Sequence, residues 1–396
     1  MPERTKILIL PSWYARPDAP TSGSFFKEQA ELMMPDFDVK VMVADKRWIS
    51  WRRYYYERLR PHPRRFLPFF LNIPPTLYFE YDFLGRFSDE KNFAIMQDCY
   101  GSMLERLIRE GWKPDAIHAH CAFQGGLLAQ YLSARFGIPY IVTEHMNPFV
   151  LHTYTPFMKN QVVHCLENAN HVLAVSNHQK QHILMNQIRC NPQVVGNLVN
   201  ERLFTLASAP QDVFTIAFIA YYPNFIKDFD TFFHALSLIK DKGLRVKLIG
   251  GGELSGEMAT GYVEGLISRY GLEDIVKRIP RASRTEMNEH FAQSHILVSS
   301  SIAESFGVAI CEAMLCGRPV VSTKNGGCDD FLIEGVNGFT VPIKDPEMLA
   351  EKILFIKNNY STFNPQIIRE SIIHKFGTKA FKQRISAIYR QIIINA

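Results

Sequence analysis

No apolar stretch in the 396 residues approaches the roughly twenty needed to span a bilayer, so a membrane-crossing helix is not expected. Met1 to Lys6 runs directly into Ile7-Leu8-Ile9-Leu10, which is too short and too soon followed by Pro11 for a signal peptide. A cytoplasmic protein is the expectation. Close Cys-x-x-Cys pairs are missing as well. The seven cysteines are scattered and odd in number, which implies neither a disulfide framework nor a zinc ribbon. Internal repeats and low-complexity tracts are absent, and Gly250-Gly251-Gly252-Glu253 falls short of a Gly-x-Gly-x-x-Gly dinucleotide fingerprint with no acidic partner to support it.

What the chain does have is length and alternation. It is long enough for two domains with separate cores. Its composition, 47% hydrophobic and 21% charged, is that of an ordinary globular enzyme. In the first half, Lys6–Leu10, Val39–Val43, Ala116–Ala119, Tyr140–Val142 and Val172–Val175 read as strands. Phe25–Met33, Asn92–Glu110, Gly125–Phe136 and Asn177–Gln187 between them carry helical periodicity. Such alternation predicts a doubly wound parallel α/β sheet. The gap from Asp45 to Asp89 breaks the rhythm and reads as an insertion. Thr205–Asp212, rich in Ala, Ser and Pro, reads as a linker. A second alternation follows, with strands near Phe214–Ala220, Arg245–Ile249, Val276–Ile279, His295–Ser299 and Pro319–Ser322 and an amphipathic terminal segment at Phe376–Ile394.

The net charge of +5 is modest but unevenly spread. From Lys46 to Phe70, Lys46, Arg47, Arg52, Arg53, Arg58, Arg60, Arg64 and Arg65 are interleaved with Trp48, Trp51, Tyr54, Tyr55, Tyr56, Phe66, Phe69 and Phe70. Basic and aromatic side chains together suit an anionic membrane surface. They equally suit a surface loop packed on its own domain. Nucleic acid fits the composition but has no supporting module elsewhere, so it is not expected as a partner.

Glu304 falls in a strand-to-helix turn after the apolar run His295–Ser299, and Glu312 lies about a turn and a half into the helix that starts at Val308. Turns at the carboxyl ends of parallel strands are where open α/β sheets bind ligands. The N–H groups around Ser305, Phe306 and Gly307 favour an anion there. A helix-terminal acid and a solvated face residue are the bland alternative. His118-Ala119-His120 puts two imidazoles on one strand face, and with His145 they could be read as a metal cluster. No carboxylate or cysteine arrangement completes a metal set, and buried, hydrogen-bonded histidines are the competing reading.

The Ser301–Met314 segment, with its Glu-x7-Glu spacing, resembles the signature of the retaining GT-B glycosyltransferases of family 4. Gly317–Ser322, the diglycine Gly326-Gly327 and the Gly335–Phe339 turn continue the resemblance, as does Val194–Phe204 at the end of the first half. The resemblance implies two Rossmann-like domains facing across a cleft. Residues 1–205 would form the acceptor side, residues 206–375 the nucleotide-sugar side, and 376–396 a helix crossing back. It assigns Glu304 to donor-sugar hydroxyls, Glu312 to the ribose, and Lys227 to the diphosphate. Gly23 falls in a loop near the phosphate, and His120 contacts the donor sugar while His118 is structural. Tyr221 stands where the family commonly has an arginine, so Arg281, Arg284 or Lys324 is expected to help Lys227. Glu144 and His145 are acceptor-side candidates.

The activity so implied is retaining transfer, by a front-face mechanism, from a nucleoside diphosphate sugar to a hydroxyl of a glycan or lipid-linked acceptor. It fits cell-surface polysaccharide or glycolipid synthesis, with no cofactor and no metal. An epimerase or phosphorylase on the same fold, or a non-catalytic sugar-nucleotide or glycan binding protein, remains the rival.

Overall fold

The computed structural model describes residues 4–15, 22–58, 69–72, 75–146, 149, 151–211, 213–220, 225–251 and 256–394. Tyr221, Gly252, Glu253, Arg60, Arg64, Arg65 and Phe66 lie outside them. The chain forms two compact units: Met1–Val175 with Gln179–Val195 and Lys382–Ala396, and Gly196–Phe381 with Ser176–His178. The change of unit at Val195 comes before the linker expected at Thr205–Asp212. Its reason is local: Arg369 donates to the carbonyls of Phe204 at 2.7 Å and Glu201 at 2.8 Å, fastening that stretch to the second unit. The return falls at Lys382 rather than at Phe376, within a helix that starts at Thr378.

The first unit contains strands β1 (Lys6–Pro11), β2 (Asp38–Trp48), β3 (Phe69–Asn72), β4 (Pro75–Phe83), β5 (Ala116–His120), β6 (Tyr140–Glu144), β7 (His171–Ala174) and β8 (Gln193–Val194). They lie in the order β3-β4-β2-β1-β5-β6-β7-β8, parallel except for β3, which pairs antiparallel with β4. β1, β5 and β6 are buried along nearly their whole length, as strands covered on both faces must be. Helices α1 (Ser24–Met33), α2 (Trp51–Arg58), α3 (Asp89–Arg109), α4 (Leu127–Phe136), α5 (Pro156–Asn168) and α6 (Asn177–Met185) connect them. In α3, Ser88 caps the first turn and Phe93, Met96, Tyr100, Leu104 and Leu107 recur at helical spacing to make the buried stripe. The expected insertion is therefore an extension of the sheet. β2 runs on to Trp48 and pairs with β4, where Arg47 and Asp82 are register partners joined at 2.6 Å.

The second unit has β9 (Phe214–Ile219), β10 (Leu244–Gly251), β11 (Val276–Pro280), β12 (Ile296–Ser299), β13 (Val320–Thr323) and β14 (Gly338–Val341), all parallel, in the order β11-β10-β9-β12-β13-β14. Its helices are α7 (Phe229–Ser237), α8 (Gly256–Tyr270), α9 (Arg284–Ala292), α10 (Val308–Leu315), α11 (Pro346–Asn358) and α12 (Pro365–Phe376), and α13 (Thr378–Ile394) follows. The reversal of strand order at β9 and β12 makes a topological switch point. The loops after β9 and β12 leave from adjacent carboxyl ends there. α10 is buried from Ile310 to Leu315, and Phe306 just before it is wedged between Phe331 and Phe376, with ring centroids at 5.6 and 4.9 Å.

Candidate active site

In the second unit, the two loops at the switch point are stapled together. Ser300 donates from its hydroxyl to the carbonyls of Lys227 at 2.7 Å and Asp228 at 2.9 Å, and the Ile302 N–H donates to the Ile226 carbonyl at 2.7 Å. Asp228, at φ 45°, opens α7 by accepting from the Thr231 N–H and hydroxyl. These bonds fix the backbone from which Lys227 projects. Its ammonium reaches Glu304 at 2.5 Å.

Glu304 is held on three further sides. Ser301 donates to the same carboxylate oxygen at 2.8 Å, and the Glu304 N–H donates to the Asn325 carbonyl at 2.9 Å. The diglycine lies against it: a Cβ built on Gly327 would come within 2.6 Å of the Glu304 Cβ and 2.9 Å of the Phe306 carbonyl carbon. Gly326, at φ 86°, leaves no room for a side chain beside the His178 ring. Both glycines are therefore required by close approach, and Gly326 by its positive φ as well.

Glu312 sits on α10, nearly buried, and pairs with Arg284 at the start of α9 at 2.9 Å. The Arg284 guanidinium lies 5.3 Å from the Phe204 ring. Of the three cations expected to assist Lys227, Arg284 is found on a site carboxylate, and the Arg281 and Lys324 side chains are exposed. Ser305 is half-buried, and the Phe306 side chain belongs to the core, so only the backbone of that residue can serve a ligand. Gly307, at φ 84°, opens α10 without a side-chain cap, leaving first-turn N–H groups for an anion.

In the first unit, Gly23 opens α1 at φ 64° with no side-chain cap, and a Cβ there would meet the Trp13 carbonyl at 2.9 Å. His118 and His120 end β5 and are both buried. His118 is held from both ring nitrogens, by the Tyr389 hydroxyl at 2.7 Å and the Thr143 hydroxyl at 2.7 Å, and burial pulls its pKa down to about 3. His120 meets His145 through Nδ1 at 3.1 Å, while its Nε2 has no hydrogen-bond partner among the described residues. Burial, and then the neighbouring His118 and His145 rings, hold His120 well below the usual histidine range. A neutral, buried His120 with one open nitrogen is suited to a hydrogen bond with a ligand hydroxyl. No group of three His, Cys, Asp or Glu side chains among the described residues could hold a metal ion.

Glu144 corrects the expectation of an acceptor-side contact. It is fully buried, and its carboxylate accepts the N–H groups of Ala122 at 2.8 Å, His145 at 2.9 Å and Met146 at 2.8 Å. Burial raises its pKa against the opposing pull of those N–H groups. Its work is to shape the loop after β5. Ser12 does the same from the other side, donating to the His120 carbonyl at 2.8 Å and accepting from the Gly125 N–H at 3.1 Å. Ser301 opens the signature segment already marked in the sequence, whereas Ser12 did not stand out there, its one signal being its place just after a strand.

A family model described as Glycosyl transferases group 1 matches residues 213–359, and one described as Glycosyltransferase Family 4 matches residues 51–203. An uncharacterized glycosyltransferase of Methanocaldococcus jannaschii is 29% identical over 251 residues, covering 62% of this chain and 66% of the relative. A D-inositol 3-phosphate glycosyltransferase of Streptosporangium roseum is 26% identical, covering 62% of each chain. The chain therefore aligns to less than two thirds of each of these relatives. N-acetyl-alpha-D-glucosaminyl L-malate synthase of Bacillus anthracis is 24% identical over 83% of this chain and 87% of its own. Among solved structures, sucrose-phosphate synthase from Thermosynechococcus elongatus superposes with a TM-score of 0.77 at 18% identity, covering 99% of this chain and 100% of that one. Anabaena HepE in complex with UDP gives 0.75 at 17% identity, over 98% and 100%. With one family model on the stretch that carries Lys227, Glu304 and Glu312 and the other on the stretch that carries His120, the chain belongs to the group 1, family 4 glycosyltransferases of GT-B fold.

Proposed function

We propose that the protein transfers a sugar from a nucleoside diphosphate sugar to a hydroxyl of a glycan or lipid-linked acceptor, with retention of anomeric configuration. The observation that carries this is the pair of ion pairs in the second unit, Lys227 with Glu304 and Arg284 with Glu312, set around one strand-to-helix turn. Such pairs keep charge in place for a ligand that needs both signs. The diphosphate takes the lysine and the uncapped α10 N-terminus as negative charge builds on the leaving group, and the sugar and ribose hydroxyls take the carboxylates. His120 supplies the open imidazole nitrogen for a donor-sugar hydroxyl. No covalent nucleophile is needed for a front-face transfer in which a donor phosphate oxygen receives the acceptor proton. Support for the donor class comes from Anabaena HepE, whose solved structures contain UDP, UDP with glucose, or UDP-glucose.

The acceptor side meets an anionic membrane in this proposal. α2 docks through the buried Tyr54 and leaves Trp51, Arg52, Arg53 and Tyr55 exposed, beside Trp48 at 70% exposure. No described helix is long and apolar enough to cross a membrane, so contact would be through this face.

Thermal stabilisation by UDP, GDP and ADP sugars tests the donor class, and NMR of the product tests the stereochemistry. A nucleotide sugar that raises Tm and is turned over with its anomeric configuration kept is the expected result. Absence of stabilisation by every nucleotide overturns the donor assignment. An inverted product overturns retention alone.

A further inference from the structure

Within the first unit, a cavity of about 220 Å³ opens between β4, α3, the loop after β5 and the start of α5. Phe83, Phe93, Phe123 and Tyr154 form its walls, and Lys46, Asp89 and Gln124 are among its polar lining. The Phe123 and Tyr154 rings are stacked at 4.9 Å, 12° from parallel. Lys46 lies 4.8 Å from the Phe83 ring, and Asp89 is oriented by the Thr155 hydroxyl at 2.8 Å.

The way Gln124 reaches the cavity is costly. Its backbone has φ 64° and ψ −76°, a γ-turn conformation that is strained for any residue with a Cβ. Ser12 holds the turn by donating to the Phe123 carbonyl at 2.5 Å and accepting from the Gly125 N–H. Gly125 admits nothing larger, since a Cβ would fall 2.4 Å from the Leu10 carbonyl oxygen. The carboxylate of Glu144, by taking the Ala122 N–H, anchors the other end. A strained turn held from the end of β1 and from β6, immediately after the open His120, is a feature that places a side chain for use rather than for packing. Among the described residues no hydrogen bond takes the Gln124 amide, whereas Asn92 nearby spends its amide on the Leu84 and Phe87 backbone.

We infer that this cavity binds a neutral, hydroxyl-rich ring, the sugar or cyclitol ring of the acceptor. The C–H faces of such a ring match the aromatic walls, and its hydroxyls match a rim that holds an anion, a cation and an amide together. An alkyl chain would leave Lys46, Asp89 and Gln124 desolvated without return. A phosphate would meet the Asp89 carboxylate. The ring's role as acceptor rests on the proposed transferase activity, but its binding does not.

The full chain is examined by saturation-transfer NMR with methyl hexopyranosides of the gluco, galacto and manno series, methyl N-acetylglucosaminide and myo-inositol. Two variants accompany it. Gln124→Gly keeps the turn, because glycine accepts the positive φ, and removes the amide. Met158→Trp fills the cavity. At least one ring compound is expected to bind the wild type, with affinity falling fivefold or more in Gln124→Gly and signal lost in Met158→Trp, while both variants keep the wild-type far-UV spectrum. Should the tryptophan variant fail to fold, the glycine variant decides. No binding of any ring compound to the wild type, or equal binding to wild type and variants, overturns the inference. So does octanoate binding that the variants abolish while the ring compounds do not bind. UDP, GDP and ADP are titrated in parallel: ring binding without binding of any of the three supports the cavity and sinks the donor reading, and nucleotide binding without ring binding sinks the cavity alone.

Discussion

Lys227 and Glu304 meet at 2.5 Å although 76 residues lie between them, because the loops after β9 and β12 are pinned together by Ser300 and Ile302. Both side chains are about three-quarters buried or more, at 25% and 20% exposure. An ion pair of this kind contributes little to stability by itself, since partial desolvation opposes the Coulomb gain. Its value is preorganisation: each group holds the other where a ligand will need it.

Lys227→Ala is expected to lower turnover about 10²-fold and to weaken binding of the nucleoside diphosphate, leaving the bare nucleoside unaffected, because the lost charge faces the diphosphate. Calorimetric titration of nucleoside and nucleoside diphosphate against both proteins checks this. Identical affinities would reduce Lys227 to a partner of Glu304.

The two glutamates are expected to separate kinetically. Glu312→Ala weakens nucleotide binding roughly tenfold or more, the scale of a hydrogen bond to a charged group, whereas Glu304→Ala lowers kcat more than it changes nucleotide affinity. Arg284→Ala is expected to follow Glu312→Ala, since the guanidinium orients that carboxylate at 2.9 Å. Steady-state kinetics with nucleotide inhibition distinguishes them. If all three variants bind and turn over as wild type does, the site lies elsewhere.

Stability is expected to fall on mild acidification because of the buried histidines. In the unfolded chain a histidine takes up its proton near pH 6.5, while His118 stays neutral in the fold down to about pH 3. The unfolded state thus binds more protons throughout that window. The contribution is complete above pH 6.5 and is lost as pH falls below it, approaching about 1.4 kcal/mol per pH unit. His120 adds in the same sense, and the raised Glu144 opposes it. Urea midpoints of wild type and His118→Gln between pH 7 and 5 isolate the term: the variant should lose stability less steeply. Parallel slopes would contradict a neutral His118.

How far the sequence could carry this depended on distance along the chain. The β12 turn was legible because an apolar run, Glu304, Gly307 and the α10 residues sit within twenty positions of one another, and the His118/His120 pair was legible from strand alternation. Contacts between remote segments were not. Nothing near Glu312 announces Arg284, and nothing near Glu144 shows that three N–H groups converge on its carboxylate. β4 was hidden because Leu77, Tyr78, Phe79 and Tyr81 are all buried, which erases the alternation that marks a one-sided strand. α5 begins with a capping Thr155 and Pro156, a readable start, but few of its side chains are buried, so its apolar stripe is thin.

The face formed by the end of β2 and by α2 is expected to bind anionic vesicles. Arg52 lies over the Trp51 ring at 5.4 Å and Trp48 packs edge-on against Phe83 at 4.5 Å, so cations and rings are presented together on a folded surface. Arg47 is not among the cations available, since its guanidinium is spent on Asp82. Each basic residue near a charged bilayer contributes on the order of 1 kcal/mol, and the exposed rings add interfacial contact. Several acting together suffice for reversible binding that salt weakens. Co-sedimentation with phosphatidylserine-containing vesicles should therefore retain the wild type at low salt and release it at high salt, with Arg52→Ser/Arg53→Ser and Trp48→Ala/Trp51→Ala each reducing the bound fraction while nucleotide binding stays unchanged. A wild type that remains in the supernatant at low salt would assign the face to a water-soluble glycan instead of a lipid-linked one, because a lipid-linked acceptor requires the enzyme to work at the bilayer.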